Sequence, residues 1–190
     1  MLSMSNDTDT GDRILVAAAS CVRDFGIDRV TLAEIARRAG VSRPTVYRRW
    51  PDTEAILAAL LTERITGVLR EVPLTGTDRA AIVDRIVASA GRLRQDDIIM
   101  AVLHSAPELA MVYIVERLGT SQQLMINALA ANLKVAQAGG SVRAGDLGQL
   151  AAMVLLITQS AIQSAQIVEP ILPADALAAE LTLALNGYLR

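Results

Sequence analysis

The chain has 190 residues, of which 52% are hydrophobic, and a net charge of only −2. This length suits one large domain or a small domain joined to a larger one, and the apolar fraction is ample for a substantial core. The charge excludes a polycation, so any nucleic-acid surface has to come from local clustering of basic residues.

Cysteine and histidine each occur once, as Cys21 and His104. A lone cysteine excludes an intrachain disulfide and is typical of a reducing cytoplasm. One residue of each kind does not supply the ligand set of a usual zinc site. We therefore predict neither a metal nor another cofactor.

The pattern along the chain is helical throughout, because alanine and leucine are abundant and β-branched residues rarely alternate with polar ones. Residues 1–11 are polar and acidic, unlike a signal peptide, and are predicted to form a disordered arm. The sequence thus predicts an all-α fold of about nine helices. In chain order these are 12–25, 32–39, 43–50, 53–71, 78–94, a short helix that is capped by residues 95–97 and includes His104, 107–138, 147–168 and 173–190.

Local signals set the ends of the first four helices. Gly26 ends the first helix, and Thr31 with Glu34 forms a T-x-x-E capping box for the second. Ser42 and Asp52 are suitable N-caps for the third and the fourth. The residues predicted to form the inward face of the first helix are Ile14, Ala18, Cys21, Val22 and Phe25.

Residues 32–50 have the spacing of a helix-turn-helix motif. Ala36 is small where two steeply crossed helices approach closely, Gly40 supplies the freedom in φ that the turn needs, and Val46 faces the core. With Val46 inside, the outward face fits the major groove of DNA. The side chains predicted to point outward are Arg43, Thr45, Tyr47 and Arg48.

The charge distribution agrees with this motif. From Arg29 to Trp50 there are six arginines and one acid, a net charge of +5, so the remaining chain carries −7. A basic patch on an otherwise acidic protein is typical of a DNA-binding protein. The alternative is an ordinary helical hairpin with a solvated basic face, which the glycine turn, the caps and the outward arginines disfavour.

Residues 31–57, TLAEIARRAGVSRPTVYRRWPDTEAIL, resemble the DNA-binding domain of the TetR family of transcriptional regulators. The preceding ILVAAASCVRDFGIDRV is similar to the family's first helix and glycine turn. The resemblance implies an all-helical homodimer that binds operator DNA and releases it when a small ligand enters the larger domain. It also implies a helix-turn-helix domain at residues 12–52 and a helical regulatory and dimerisation domain at residues 53–190.

Carried over by position, the resemblance indicates which residues contact DNA. Arg43 and Thr45 are candidates for base edges, and Trp50 holds a position that usually has a packing role. Thr53 stands where the family often has a lysine, so the phosphate contact of that lysine is missing. Arg49 is the candidate to replace this contact. The predicted DNA-binding residues are Thr31, Ser42, Arg43, Pro44, Thr45, Tyr47, Arg48 and Arg49.

The last two helices carry the prediction of a dimer. Helix 147–168 has no charged residue and is apolar over more than one face, so it is either buried or paired with another subunit. A dimer would present two recognition helices about 34–36 Å apart. An intrachain core is the alternative. The predicted interface residues are Leu150, Val154, Ala161, Ala165, Leu181 and Leu185.

A ligand site in a helical protein lies between helices and is mostly apolar, with a few polar groups. His104 has an alternative role as a hydrogen-bonded residue near a helix C-terminus, and methionines more often fill a core. The predicted ligand-binding residues are Met100, His104, Met111, Tyr113 and Gln159.

These features favour a ligand-responsive repressor that binds a palindromic operator as a homodimer. The alternative is an architectural or protein-recruiting DNA-binding protein without a small-molecule effector. An enzyme is not predicted, because the sequence has no Gly-rich phosphate loop and no nucleophile–base motif. A membrane span is not predicted either, since seven polar residues interrupt the stretch 147–168.

Overall fold

A computed structural model of the protein describes residues 3–105 and 121–190. Within those ranges the chain is all-α, as predicted, with ten α-helices, one 3-10 turn at Ile27–Arg29 and no strand. The helices are α1 Ser3–Phe25, α2 Leu32–Ala39, α3 Arg43–Arg49, α4 Thr53–Glu71, α5 Arg79–Gln95, α6 Asp97–Ser105, α7 Ser121–Ala138, α8 Leu147–Gln163, α9 Ala165–Val168 and α10 Ala174–Leu189.

Side-chain caps explain why several helices begin where the sequence predicts. The Asp52 carboxylate accepts the N–H of Ala55 at 2.7 Å, one residue before α4. The Asp96 carboxylate accepts the N–H groups of Ile98 and Ile99, both at 3.0 Å, at the start of α6. Each carboxylate satisfies backbone donors that have no partner within the first turn of a helix.

The first helix is longer than predicted. It begins at Ser3, so the prediction of a disordered arm at residues 1–11 is wrong from Ser3 onward. The segment has no apolar face of its own, but lengthening an existing helix gains one hydrogen bond for each residue fixed, whereas starting a helix is costly. Phe25 also departs from the predicted inward face. It is 42% exposed, and the Arg38 guanidinium lies 4.6 Å from the centre of its ring.

The structure divides into two compact units. Unit 1 contains the described residues 3–66 and 96–105, and unit 2 contains 67–95 and 121–190. The division between the two units thus falls within α4, between residues 66 and 67, whereas the predicted domain boundary lies between residues 52 and 53. The fully buried side chains of α4 all lie in that part, between Ile56 and Leu61.

In unit 1, α1 packs on α2 and α6, and α2 packs on α3. The side chains buried where these helices meet come from one face of each helix, which follows the i, i+3/i+4 spacing of an amphipathic helix. They include Ile14, Ala18, Cys21 and Val22 of α1, Ile35 and Ala36 of α2, and Val46 of α3.

In unit 2, α5, α7, α8 and α10 surround one aliphatic core. The predicted helix 147–168 is broken at Ser164, whose N–H bonds to the carbonyl of Ser160 at 3.0 Å, and α9 follows as a separate turn. The turn before α8 contains Gly140 at φ 74°, and Asp146 caps α8 by accepting the N–H of Gln149 at 2.9 Å. Among the described residues, no helix has the length and the apolar character needed to cross a membrane.

Candidate DNA-binding interface

A threonine and a serine side chain cap the N-termini of α2 and α3. The Thr31 hydroxyl accepts the N–H of Glu34 at 3.2 Å, and the Ser42 hydroxyl accepts the N–H of Thr45 at 3.3 Å. Both caps are as predicted. The reciprocal half of the predicted capping box differs, because the Glu34 carboxylate is bound by Arg37 and Arg38.

The turn between the two helices rests on Gly40. This residue has φ 63° and ψ 36°, in the left-handed region that side chains disfavour, and its N–H bonds to the carbonyls of Ala36 and Arg37. The N–H of Val41 also bonds to the Ala36 carbonyl, at 3.1 Å. Gly40 therefore lets the chain reverse direction while the last carbonyls of α2 stay hydrogen-bonded.

The short helix α3 has one buried and one exposed face. Val46 is fully buried, whereas Arg43, Tyr47 and Arg48 are exposed as predicted. Thr45, also expected to point outward, is half-buried, and its hydroxyl lies 2.7 Å from that of Ser42. The other exposed residues predicted to bind DNA are Thr31, Ser42 and Pro44.

Trp50 closes α3. Its N–H bonds to the carbonyl of Val46 at 2.9 Å, and its side chain is half-buried. Asp52 follows two residues later and caps α4. A helix N-terminus that already holds a carboxylate is a poor site for a phosphate, because the two negative charges repel each other.

The basic patch is smaller than its arginine count implies. Both oxygens of the Glu34 carboxylate accept hydrogen bonds from Arg37, at 2.6 and 2.8 Å, and one also accepts from Arg38 at 2.9 Å. These bonds lower the pKa of Glu34 to about 2, first through Arg37 and then through Arg38. Arg38 is further paired with Asp24 and bonded to Ser20 at 2.8 Å. Arg38 is thus a packing and ion-pair residue, which the sequence pattern did not reveal.

Arg49 differs from the exposed arginines of α3. It is half-buried, and its Nη1 atom would lie only 2.9 Å from a Cβ atom built on Gly11 of α1. The same turn of α1 carries Arg13, which donates to the carbonyl of Ala39 at 2.7 Å. The N-terminal part of α1 therefore contacts the helix-turn-helix motif at the end of α2 and at the end of α3.

The predicted ligand-binding residues are only partly within the described structure. Met100 is half-buried on α6 in unit 1, and Gln159 is half-buried on α8 in unit 2. His104 lies on α6, but its side chain is outside the described part, and Met111 and Tyr113 lie outside the described residues. This set stays a prediction.

The predicted dimer-interface residues are placed differently from the expectation. Five of them, Leu150, Val154, Ala165, Leu181 and Leu185, are buried against their own chain. A side chain that is already removed from solvent within one chain has almost no surface left to bury against a partner. Ala161 is half-buried against the same core. Their burial favours the alternative, an intrachain core, and the predicted interface stays a prediction.

Unit 2 contains two buried polar side chains that the sequence pattern does not predict. The Oγ atom of Ser89 on α5 and the Oε1 atom of Gln122 on α7 are buried without a hydrogen-bond partner in the described part of the chain. α5 and α7 pack against each other. A buried polar atom without a partner is uncommon in a folded protein and requires an explanation.

Two short helices joined at a left-handed glycine, with the second exposing a basic face, define a helix-turn-helix DNA-binding protein. Comparisons with known proteins agree. Residues 14–60 match the family described as bacterial regulatory proteins, tetR family. The HTH-type transcriptional regulator Rv2250c of Mycobacterium tuberculosis is 71% identical over 190 residues, which cover all of both chains. The HTH-type transcriptional regulator AqdR of Rhodococcus erythropolis is 36% identical over 35% of this chain and 30% of its own.

Solved structures share the fold over nearly the whole length. A TetR transcription regulator from Haloarcula marismortui superposes with a TM-score of 0.72 at 17% identity, covering 96% of this chain and 100% of that one. RolR in complex with resorcinol gives a TM-score of 0.70 at 19% identity, with 98% and 90% covered. FadR from Bacillus subtilis in complex with stearoyl-CoA gives 0.66 at 19% identity, with 94% and 98% covered. The chain belongs to the TetR family of transcriptional regulators, a class of DNA-binding proteins.

Proposed function

We propose that the protein is a cytoplasmic repressor that binds a palindromic operator as a homodimer and releases it when a small molecule binds to the regulatory helices. The exposed face of α3 carries the DNA-binding half of this proposal. Arg43 and Arg48 present cations there beside the exposed ring of Tyr47, while Val46 anchors the helix from behind. Arginine suits both guanine edges and phosphates.

Selection of bound duplexes from a random-sequence library tests the operator. A homodimer with two-fold symmetry selects two inverted half-sites whose centres lie about one helical turn apart or a multiple of that distance. A single half-site without a repeat would oppose the dimer. Enrichment without any sequence preference would instead favour an architectural DNA-binding protein.

The exposed faces of α8 and α10 are the surface proposed for dimerisation. The two helices pack against each other in unit 2. The exposed residues of α8 recur at helical spacing and carry no charge, whereas a solvated helix face is normally charged. On α8 these residues are Gly148, Gln149, Met153, Leu156, Ser160 and Gln163. The exposed residues of α10 include Ala176, Ala179, Leu183, Ala184 and Gly187, together with the charged Asp175 and Glu180.

Leu156 and Leu124 provide a matched pair for this surface. Leu156 on α8 is 59% exposed and Leu124 on α7 is 61% exposed, so replacing either residue with glutamate costs little in a monomer. We expect Leu156→Glu to convert a dimer of about 40 kDa, twice the chain mass of 20.2 kDa, into monomers in sedimentation at micromolar concentration. Leu124→Glu should stay dimeric. Dissociation by both variants, or by Leu124→Glu alone, would assign the interface elsewhere.

The effector proposal rests on Ser89 and Gln122. Leaving a buried polar atom unpaired costs about 1–3 kcal/mol, which a ligand could recover by hydrogen-bonding to it. Because the Gln122 Oε1 atom has no partner among the described residues and the core of unit 2 is aliphatic, a largely apolar effector with a hydrogen-bond donor fits best. RolR and FadR, which share the fold, were solved with resorcinol and stearoyl-CoA respectively.

A thermal-shift screen of chemically diverse small molecules would identify compounds that stabilise the protein. We expect Gln122→Leu to keep or raise the stability of the unliganded protein, since it removes an unpaired buried atom, while abolishing the shift caused by the compound. An equal shift in the wild-type protein and the variant would exclude Gln122 from the ligand site. Ser89→Ala provides the corresponding test on α5.

A further inference from the structure

Gly11 occupies a position in α1 where any side chain would contact the last residue of α3. The residue is buried, and a Cβ atom on it would lie 2.9 Å from Nη1 of Arg49 and 3.8 Å from Cζ. Glycine is a poor helix former, second only to proline. Its presence inside α1 is therefore explained by the Arg49 guanidinium, which lies against the helix backbone at this point.

A second contact comes from the same turn of α1. Arg13 donates from Nη2 to the carbonyl of Ala39 at 2.7 Å, at the last residue of α2. Arg49 is the last residue of α3. Residues 11–13 of α1 thus contact the C-terminal ends of both helices of the motif.

Helix α3 needs such a contact because it is short and weakly anchored. It has seven residues, and Val46 is the one that is fully buried. Thr45 and Trp50 are only half-buried, so a contact at the C-terminal end adds to the restraint that Val46 places on the tilt of the helix. The half-buried guanidinium of Arg49 against Gly11 is in the right place to do this.

We propose that Gly11 and Arg49 form a positioning contact that sets the orientation of α3 for operator binding. Arg49 then acts through α1 and not as the phosphate contact that the sequence predicts. Arg43 and Arg48 keep the direct contacts, because both side chains are exposed.

A double-mutant cycle on Gly11→Ala and Arg49→Ala tests the proposal, with a duplex selected by the wild-type protein as the DNA probe and the Kd measured from 50 to 200 mM salt. Each single variant should weaken binding about threefold to tenfold, because α3 loses the contact that restricts its tilt, and leave the salt slope unchanged. The double variant should bind no more weakly than Arg49→Ala, because both substitutions remove the same contact. Arg48→Ala is the comparison, and as a phosphate contact it should lower the salt slope by about one.

Three results would overturn the proposal. The first is wild-type affinity in Gly11→Ala, and the second is a salt slope lowered by about one in Arg49→Ala, which would mark a phosphate contact. The third is additive losses in the double variant. Gly11→Ala is expected to fold, because alanine is a better helix former and the atom it meets is the far end of a flexible side chain.

Hydrogen exchange of the unliganded protein provides a readout without DNA, since the inference rests on the operator binding proposed above. The N–H of Trp50, which bonds to the Val46 carbonyl at the end of α3, should exchange about threefold to tenfold faster in Gly11→Ala and in Arg49→Ala. Unchanged exchange in both variants would refute the positioning contact. If the wild-type protein selected no duplex, the proposed function would fail, and the exchange rates would still decide this inference.

Discussion

Replacing Gly40 with alanine tests whether the turn of the motif depends on a left-handed residue. Gly40 has φ 63° and ψ 36°, and a Cβ atom there would meet only the Arg13 guanidinium, at an ordinary contact distance of 3.5 Å. The cost is therefore conformational rather than steric, about 1–2 kcal/mol for an L-residue in this region.

Gly26 has φ 74° and ψ 163°, a region that only glycine adopts readily, with no atom within 4 Å of its Cβ position. Gly26→Ala should cost about 1–3 kcal/mol.

Urea unfolding followed by the fluorescence of Trp50 measures both effects, because the only tryptophan of the chain lies at the end of α3. With a slope of about 2 kcal/mol per molar urea, Gly40→Ala should lower the midpoint by about 0.5–1 M. Gly40→Asn is the matched control and should recover much of the loss, since asparagine tolerates the left-handed region. Equal destabilisation by alanine and asparagine, or none by alanine, would refute the reasoning from φ.

Three further predictions follow from individual side chains. Arg43→Ala should weaken binding to the selected duplex by about 1–3 kcal/mol and relax specificity at one base pair, and a repeated selection with unchanged specificity would contradict a base contact. Because Arg37 helps lower the pKa of Glu34 from 4.5 to about 2, the stability this carboxylate contributes is present above about pH 4.5 and is lost as the pH falls toward 2. Glu34→Gln should reduce the pH dependence of the thermal midpoint in that window, and an unchanged profile would argue against the ion pairs. Arg79→Ala should cost about 1.5–3 kcal/mol in denaturant unfolding, because the half-buried guanidinium bonds to Asn186 at 3.1 Å, and Arg79→Lys should recover only part of it.

The extent of the first helix shows one limit of the sequence pattern. Residues 3–11 lack an apolar face, so periodicity does not predict a helix there, yet α1 includes them. Gly11 is explained by its contact with the Arg49 guanidinium, and Arg49 lies in a distant part of the sequence. A contact between residues so far apart along the chain cannot be read from local spacing.

Helix α8 shows a second limit. Its sequence is apolar around most of its circumference, which predicts burial but does not say which face the chain itself covers. The structure places Leu150 and Val154 in the intrachain core and leaves Met153 and Leu156 exposed. Neighbouring residues on one helix thus have different environments, because packing against α5, α7 and α10 buries one face of α8.

The sequence by itself determined the local structure of the helix-turn-helix motif. Thr31, Ser42 and Gly40 act through hydrogen bonds and dihedral angles within a few residues, so they specify the helix ends and the turn without the rest of the fold. Only the tertiary structure decided which arginines remain available to DNA. Asp24 pairs with Arg38, and Gly11 lies against the Arg49 guanidinium, because folding brings α1 against α2 and α3. Side-chain charge is a property of sequence, but its partners are set by packing.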